Sequence, residues 1–152
     1  MSTIALDLIA CPTDLDTLTE QRRNSTVAAR RPVLRPRVLV VEDDEDVATA
    51  LAVMLRSVYD VSVRETARDF LCSYEVERPD VLLVDYELPD MNGIRTLQTL
   101  RRYHGGYTPA VMVSAYATRQ QASLSAGFEY FVTKPFQRLE LVWALEAAMA
   151  KP

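Results

Sequence analysis

Polar residues with chemically useful side chains stand directly after short apolar runs of this sequence. They are Glu42 and Asp43 after residues 38–41, Asp85 after residues 81–84, Ser114 after residues 110–113, and Lys134 close after residues 130–132. Carboxylates in apolar surroundings are costly unless they are paired or bind a cation. Carboxylates that stand together repel one another, and an oxygen-only cluster then favours Mg2+, which needs few protein ligands. The three acids therefore predict a magnesium site if the runs end side by side.

Asp85 is the candidate nucleophile of this group. A carboxylate can attack phosphorus and form an acyl phosphate when a metal ion and a nearby cation offset the charge on the transferred group. Lys134 would supply that cation, and Ser114 would supply a hydrogen-bond donor. The chemistry expected here is magnesium-dependent transfer of a phosphoryl group to Asp85.

The segments that must position these residues predict an α/β fold. Apolar runs at residues 38–41, 61–63, 81–84, 110–113 and 130–132 alternate with stretches of helical spacing. Helices are expected from residue 44 or 45 to 55, and at about residues 67–77, 94–103, 119–126 and 139–150. This order is typical of a (βα)5 doubly wound, five-stranded parallel sheet with helices on both faces. Ligands bind beyond the carboxyl ends of such strands, where the polar residues stand.

Composition and charge exclude several classes of protein. A chain with 49% hydrophobic and 25% charged residues is neither collagen-like nor disordered as a whole. No apolar stretch approaches the ~20 residues of a membrane-spanning helix, and the first residues do not have the pattern of a secretory signal. The net charge of −4 disfavours binding to nucleic-acid phosphates. We therefore expect a cytoplasmic protein without membrane or direct nucleic-acid contacts. Cys11 and Cys72, which lack metal-ligand spacing, are interpreted as free thiols in a reducing compartment.

The beginning of the chain differs from the rest. Residues 1–20 carry four acids and no base, whereas residues 21–37 carry six arginines and no acid. The second stretch also contains Pro32 and Pro36 and has no sustained apolar period. This composition predicts a flexible N-terminal extension or linker over residues 1–36, followed by a single domain over residues 37–152.

Four segments together carry a resemblance to a known family. They read VLVVEDDEDV at residues 38–47, DVLLVDYELPDMNG at 80–93, VSA at 113–115 and GFEYFVTKPF at 127–136. In this order they resemble the receiver domain of two-component response regulators, over about residues 37–150. The resemblance implies a flavodoxin-like, CheY-like sheet with strand order 2-1-3-4-5. It also implies a cis peptide bond between Lys134 and Pro135.

The resemblance implies roles for the residues that match the family's motifs. Asp85 is expected to accept the phosphoryl group, and Lys134 is expected to pair with it. Asp43 and Asp85 are expected to bind Mg2+ directly, Glu42 is expected to bind it through water, and Glu87 is expected to offer its backbone carbonyl. The phosphoryl donor implied for Asp85 is a sensor histidine kinase or a phosphotransfer protein.

The resemblance also implies a conformational switch. Ser114 is expected to move toward the phosphoryl group, and Phe131 is expected to turn into the space that it leaves. An alternative role for Phe131 is a fixed core position. The face formed by the fourth helix, the fifth strand and the fifth helix would then change, and a downstream protein or a second copy of the chain would bind there.

Two features of the sequence depart from the family pattern. The segment from Ser114 to Gly127 is shorter than usual, which predicts a trimmed fourth helix or preceding loop and puts dimerisation through that face in doubt. The sequence stops at Pro152, directly after the fifth helix. We therefore expect no DNA-binding or enzymatic output domain, and a regulator rather than an enzyme.

Two other functions fit parts of the pattern. The first is an adaptor with a receiver fold that binds its partner without phosphorylation, which the intact acids, Ser114 and Lys134 argue against. The second is a magnesium phosphohydrolase with an aspartyl nucleophile, which has Glu87 where haloacid-dehalogenase-like enzymes place a second aspartate. Outside the site, His104 is expected to be solvated, and Trp143 is expected to be a packing residue, with a place in an interface as the alternative.

Overall fold

Five short strands pair in parallel into one sheet in the computed structural model, which describes residues 34–152. The strands are β1 (Arg37–Val41), β2 (Asp60–Arg64), β3 (Val81–Asp85), β4 (Ala110–Ser114) and β5 (Tyr130–Thr133). Their order in the sheet is β2-β1-β3-β4-β5, which confirms the expected order 2-1-3-4-5. Residues 1–33 of the predicted N-terminal extension lie outside the described residues, so this division of the chain stays a prediction.

Five α-helices alternate with the strands. They are α1 (Glu45–Leu55), α2 (Ala67–Glu77), α3 (Gly93–His104), α4 (Gln120–Ser125) and α5 (Arg138–Ala150). A short 3-10 turn at Ala117–Arg119 leads into α4. With six residues, α4 is the shortest α-helix of the described part, in agreement with the shortened segment that the sequence contains. None of the helices within residues 34–152 has the length and apolar character needed to span a bilayer.

Local sequence explains where the helices next to the site begin and end. The side chain of Asp44 accepts hydrogen bonds from the backbone N–H groups of Asp46 and Val47, so it caps the first turn of α1. Asn92 caps α3 in the same way, through the N–H of Arg95. Gly105 then ends α3 in the left-handed conformation, with φ 60°, which glycine adopts without steric cost.

The helices cover both faces of the sheet, as the uninterrupted apolar runs predict. On one face, α1 and α5 pack through Leu51, Leu55, Leu141 and Leu145 against Val38, Val40, Val81 and Leu83. On the other face, α2 and α3 pack through Phe70, Leu71, Leu97 and Leu100 against Leu39, Val41, Leu82 and Val84. The central strands are therefore buried from both sides, and polar residues at their carboxyl ends are held at the edge of a rigid core.

The structure corrects the expectations for three residues outside the site. Trp143 is not packed into the core, because 59% of it is exposed and its ring meets the edge of Tyr130, at a centroid distance of 5.2 Å. His104 is not freely solvated, because its side chain is only 13% exposed, and its imidazole Nδ1 lies 2.9 Å from Glu75 Oε1. Cys72 is disulfide-bonded rather than free.

The correction at Cys72 bears on localisation. Cys11 lies outside the described residues, and the argument from free thiols to a reducing compartment no longer holds for Cys72. The cytoplasmic localisation expected from the sequence therefore stays a prediction.

Candidate functional site

The sheet order places the predicted site residues at one edge. β1, β3, β4 and β5 are neighbours in the sheet, and their carboxyl ends point in the same direction. Glu42 and Asp43 follow β1, Asp85 and Ser114 are the last residues of β3 and β4, and Lys134 follows β5. The parallel topology therefore brings together residues that are far apart in the chain.

Three carboxylates form the acidic part of this edge. One oxygen atom from each of Glu42, Asp43 and Asp85 lies within 4.8 Å of the other two. Glu42 and Asp85 are 1% and 2% exposed, whereas Asp43 is exposed to solvent. Two buried acids beside a third one form an unfavourable arrangement unless a cation offsets their charge.

Lys134 provides part of that positive charge. Its Nζ donates a hydrogen bond to Glu42 Oε2 at 2.7 Å and lies 3.1 Å from Asp85 Oδ1. Burial alone would lower the pKa of Lys134, but the hydrogen bond to Glu42 and the charges of Asp85 and Glu42 outweigh burial and raise that pKa above its ordinary value. The amine is therefore fixed in its charged form between two buried carboxylates.

The negative charge of Asp85 is only partly offset by Lys134. Burial and then the charge of Glu42 raise the pKa of Asp85 to about 6, although Lys134 opposes the shift. The Oδ1 atom of Asp85 is buried, and Lys134 Nζ contacts it at 3.1 Å as an ion pair without the geometry of a full hydrogen bond. In Glu42, by contrast, Oε1 accepts from the backbone N–H of Asp44 and Oε2 accepts from Lys134.

These oxygen atoms fit a hard divalent cation. The donor set contains carboxylate oxygens only, which suits Mg2+. The carboxylate of Asp85, whose Oδ1 only pairs with Lys134 at 3.1 Å, and the solvent-exposed carboxylate of Asp43 leave acceptor capacity for a metal, whereas both oxygens of Glu42 accept hydrogen bonds. This difference is consistent with direct ligation by Asp43 and Asp85 and with indirect ligation by Glu42.

The other three predicted residues make no hydrogen bond or ion pair that the structure records with the carboxylates or with the amine of Lys134. Ser114 is fully buried, but its Oγ accepts a hydrogen bond from the backbone N–H of Tyr116 at 3.1 Å, and it makes no hydrogen bond to Asp85 Oδ1. Phe131 is partly buried and packs with the cluster under α2 and α3. Glu87 is exposed, two residues after β3, and the role of its carbonyl stays a prediction.

The segment after β5 adopts the backbone geometry that the resemblance implies. The Lys134–Pro135 peptide bond is cis. The backbone N–H of Lys134 donates to the carbonyl of Ser114 at 2.8 Å, which ties the end of β5 to the end of β4.

Comparison with known proteins agrees with this geometry. Residues 38–146 match the family described as the response regulator receiver domain. This chain belongs to the response regulator receiver family. Of the strands and helices, the match leaves out only Arg37 at the start of β1 and the last turn of α5. The site therefore lies within the receiver domain.

Two relatives illustrate the extent of the similarity. An uncharacterized 14.6 kDa protein of Leptolyngbya boryana is 37% identical to this receiver over 109 residues, which are 69% of this chain and 83% of that protein. The DNA-binding response regulator MtrA of Mycolicibacterium smegmatis is 35% identical over 121 residues, which are 78% of this chain but 52% of MtrA. The chain thus spans about half the length of MtrA.

Solved structures show the same fold. The receiver domain of the sensor histidine kinase PA1611 from Pseudomonas aeruginosa PAO1 is 28% identical, with a TM-score of 0.69, and the similarity covers 77% of this chain and 99% of that one. It is described with a magnesium ion coordinated in its active site cleft. A CheY-like receiver domain of Methanospirillum hungatei JF-1 is also 28% identical, with a TM-score of 0.69 and coverage of 76% and 94%.

One residue that shapes the receiver site was not among those predicted from the sequence. Gly93, the first residue of α3, packs so closely on the end of β3 that a Cβ atom there would lie 2.5 Å from the backbone oxygen of Asp85 and 3.1 Å from the Cα of Tyr86. The signal was present as the last letter of the segment DVLLVDYELPDMNG. Only the tertiary contact reveals why this glycine stands there.

Gly93→Ala is therefore expected to destabilise the receiver by about 1–3 kcal/mol, because the added methyl group must displace the backbone of Asp85. Alanine is otherwise the better helix former, so without this contact the same change would stabilise α3. Urea unfolding measures the difference. Gly106→Ala is the matched control, since its Cβ would come no closer than 3.3 Å to Tyr74. Equal stability of both variants would contradict this explanation.

Proposed function

We propose that this receiver accepts a phosphoryl group on Asp85 from the phosphohistidine of a sensor histidine kinase or a phosphotransfer protein. The observation that most supports the proposal is that Lys134 Nζ contacts the buried carboxylates of Glu42 and Asp85, at 2.7 and 3.1 Å, beside the carboxylate of Asp43. A carboxylate oxygen of Asp85 attacks phosphorus, and the phosphorus–nitrogen bond of the donor breaks. The donor imidazole keeps the electron pair and takes up a proton, and Asp85 becomes an acyl phosphate.

Asp43 and Asp85 would hold Mg2+ directly, with Glu42 acting through water and Glu87 offering its carbonyl. When bound, Mg2+ supplies positive charge that offsets the charge on the phosphoryl oxygens. The buried carboxylates of this chain contribute by being fixed in place, because they are held by the sheet and by Lys134 and need little rearrangement.

The acyl phosphate would then change the contacts of the site. It adds about −1.5 to −2 charge and new acceptor oxygens beside Lys134 and Ser114. The amine of Lys134 is already within 3.1 Å of Asp85 and needs only a small shift to pair with the phosphoryl group. Ser114, whose Oγ now accepts from the N–H of Tyr116, would move toward the phosphoryl group, and Phe131 would follow into the space that Ser114 leaves.

We assign the output of this switch to the face formed by α4, β5 and α5. Leu124, Leu139 and Trp143 are 38%, 76% and 59% exposed there, so the face offers apolar area to a protein. A downstream target protein is the partner that we propose, and a second copy of the chain is the alternative. In this proposal the chain is a regulator with no further catalytic activity, and the net charge of −4 argues against direct contact with nucleic acid.

Phosphorylation is tested by incubating the full chain with acetyl phosphate and Mg2+ and measuring the intact mass. We expect the mass to increase by one phosphoryl group, and we expect EDTA or the Asp85→Asn substitution to abolish this increase. Asp60→Asn is the matched control, since Asp60 is an exposed aspartate at the start of β2 and should leave phosphorylation unchanged. An increase that survives Asp85→Asn would contradict the proposed acceptor. No increase in the unmodified chain would favour the phosphorylation-independent adaptor.

A further inference from the structure

An arginine in the loop after β4 contacts the residue beside the phosphoacceptor. The guanidinium of Arg119 lies over the ring of Tyr86, 4.8 Å from its centroid. Tyr86 directly follows Asp85, and Arg119 is the last residue of the 3-10 turn that leads into α4. The contact therefore connects the end of β3 with the segment that follows Ser114.

Tyr86 is a fixed platform for this contact. Its backbone N–H donates to the carbonyl of Val113 at 2.9 Å, and its carbonyl accepts from the N–H of Gly93 at 2.9 Å. Its ring packs at the margin of the core cluster under α2 and α3. Arg119, by contrast, is exposed, so the contact with the ring of Tyr86 is what orients its side chain.

The turn that carries Arg119 also holds the hydroxyl of Ser114. The backbone N–H of Tyr116 donates to Ser114 Oγ at 3.1 Å, and the N–H of Arg119 donates to the carbonyl of Tyr116 at 3.0 Å. The hydroxyl of Ser123 in α4 donates to the carbonyl of Arg119 at 2.8 Å. A continuous series of bonds thus runs from Ser114 to the start of α4, and Arg119 attaches it to Tyr86.

We propose that Arg119 is a positioning residue that holds the loop after β4 in its unphosphorylated arrangement through the ring of Tyr86. This inference rests on the proposed function at Asp85. In this proposal Ser114 and the turn that donates to its hydroxyl move together when Ser114 approaches a phosphoryl group, and the contact between Arg119 and Tyr86 opposes that movement. Removing the contact shifts the population toward the arrangement that accepts the phosphoryl group.

The size of the effect follows from the type of contact. An arginine over an aromatic ring at an exposed position changes an equilibrium by about two- to five-fold. We therefore expect Arg119→Gln to speed amide hydrogen exchange at Tyr116 by about two- to five-fold, measured by NMR on the unphosphorylated chain. Phosphorylation by acetyl phosphate with Mg2+, followed by intact mass, is expected to become faster by a similar factor.

Two further variants separate this role from a general loss of structure. Arg119→Lys keeps a cation for the ring and is expected to behave like the unmodified chain in both measurements. Tyr86→Leu removes the ring and should reproduce the effect of Arg119→Gln, and the double variant should show no further increase, because both changes remove the same contact. Effects that multiply in the double variant would overturn the proposal, as would an unchanged rate of exchange at Tyr116 in Arg119→Gln.

The two readouts also keep this proposal distinct from the proposed function. If the unmodified chain takes up no phosphoryl group, the proposed function fails, and hydrogen exchange at Tyr116 still shows whether Arg119 holds the turn. If the unmodified chain is phosphorylated on Asp85 but Arg119→Gln changes neither measurement, the proposed function stands and the positioning role of Arg119 is wrong.

Discussion

Lys134→Met is expected to lower the free energy of unfolding by about 2–4 kcal/mol when EDTA removes divalent cations. The substitution keeps a long side chain but leaves the carboxylates of Glu42 and Asp85, 1% and 2% exposed, without their cation. Breaking a buried ion pair from one side is costly because the remaining charge has no partner. The loss of stability should be smaller than that for breaking a fully buried ion pair, since the Lys134 side chain is 22% exposed and the carboxylates can take up a proton.

Urea unfolding with and without Mg2+ tests this expectation. Mg2+ should restore part of the lost stability, because a bound cation again compensates the carboxylates. The matched control is Lys151→Met, since Lys151 is the other lysine of the chain. Its Nζ lies 4.5 Å from the ring centroid of Tyr130 and donates to a carbonyl, so we expect a loss below about 1 kcal/mol. Similar losses in the two variants would show that the buried carboxylates do not depend on Lys134.

Asp85→Asn is expected to raise the free energy of unfolding at pH 7.5 in EDTA, by about 1–3 kcal/mol. The folded-state pKa of Asp85 is raised from 3.8 to about 6, so the folded protein holds a proton between these pH values that the unfolded chain has lost. Stability from this group therefore falls as the pH rises from about 4 to about 6, and the whole cost is present above pH 6. The shift in pKa sets an upper bound of about 3 kcal/mol.

The pH dependence gives this prediction its control. Well below pH 3.8 the Asp85 carboxyl is protonated in both states, so the difference between Asp85→Asn and the unmodified chain should disappear. Asp60→Asn, at an exposed position, should stay within about 0.5 kcal/mol of the unmodified chain throughout. If Asp85→Asn is equally stabilising at low pH, the stabilisation does not come from removing the buried charge of Asp85. A stabilisation that disappears at low pH would show that Asp85, the proposed phosphoacceptor, lowers the stability of the fold that positions it.

The fold and most of the site could be predicted because they depend on local patterns. The uninterrupted apolar residues of β1, β3 and β4 required cover on both faces, and the helical spacing between the strands supplied that cover. Parallel strands bring their carboxyl ends to one edge, so Glu42, Asp43, Asp85 and Lys134 had to meet once the sheet order was known. The order itself came from family resemblance, because apolar runs do not specify which strands are neighbours.

Local sequence patterns predicted the wrong surroundings for two side chains. One belongs to a helix that is apolar on all sides, and the other contacts a residue far away in the sequence. The last helix carries apolar residues all round, so spacing alone could not tell that Leu141 and Leu145 pack inward while Trp143 stays exposed. His104 was expected to be solvated because it stands at a helix end, and its ion pair with Glu75 could not be predicted because Glu75 belongs to a different helix.

Residue types and their periodic spacing were thus sufficient for the class of fold and for naming the acids and the lysine at the strand ends, and the resemblance of four motif segments indicated the receiver family. The hydrogen bond from Lys134 to Glu42, the raised pKa of Asp85, the close approach of Gly93 and the contact of Arg119 with Tyr86 became visible only in the folded chain. Each of these depends on burial or on distances between distant segments. Such quantities arise from the packing of the whole domain, so no short stretch of sequence contains them.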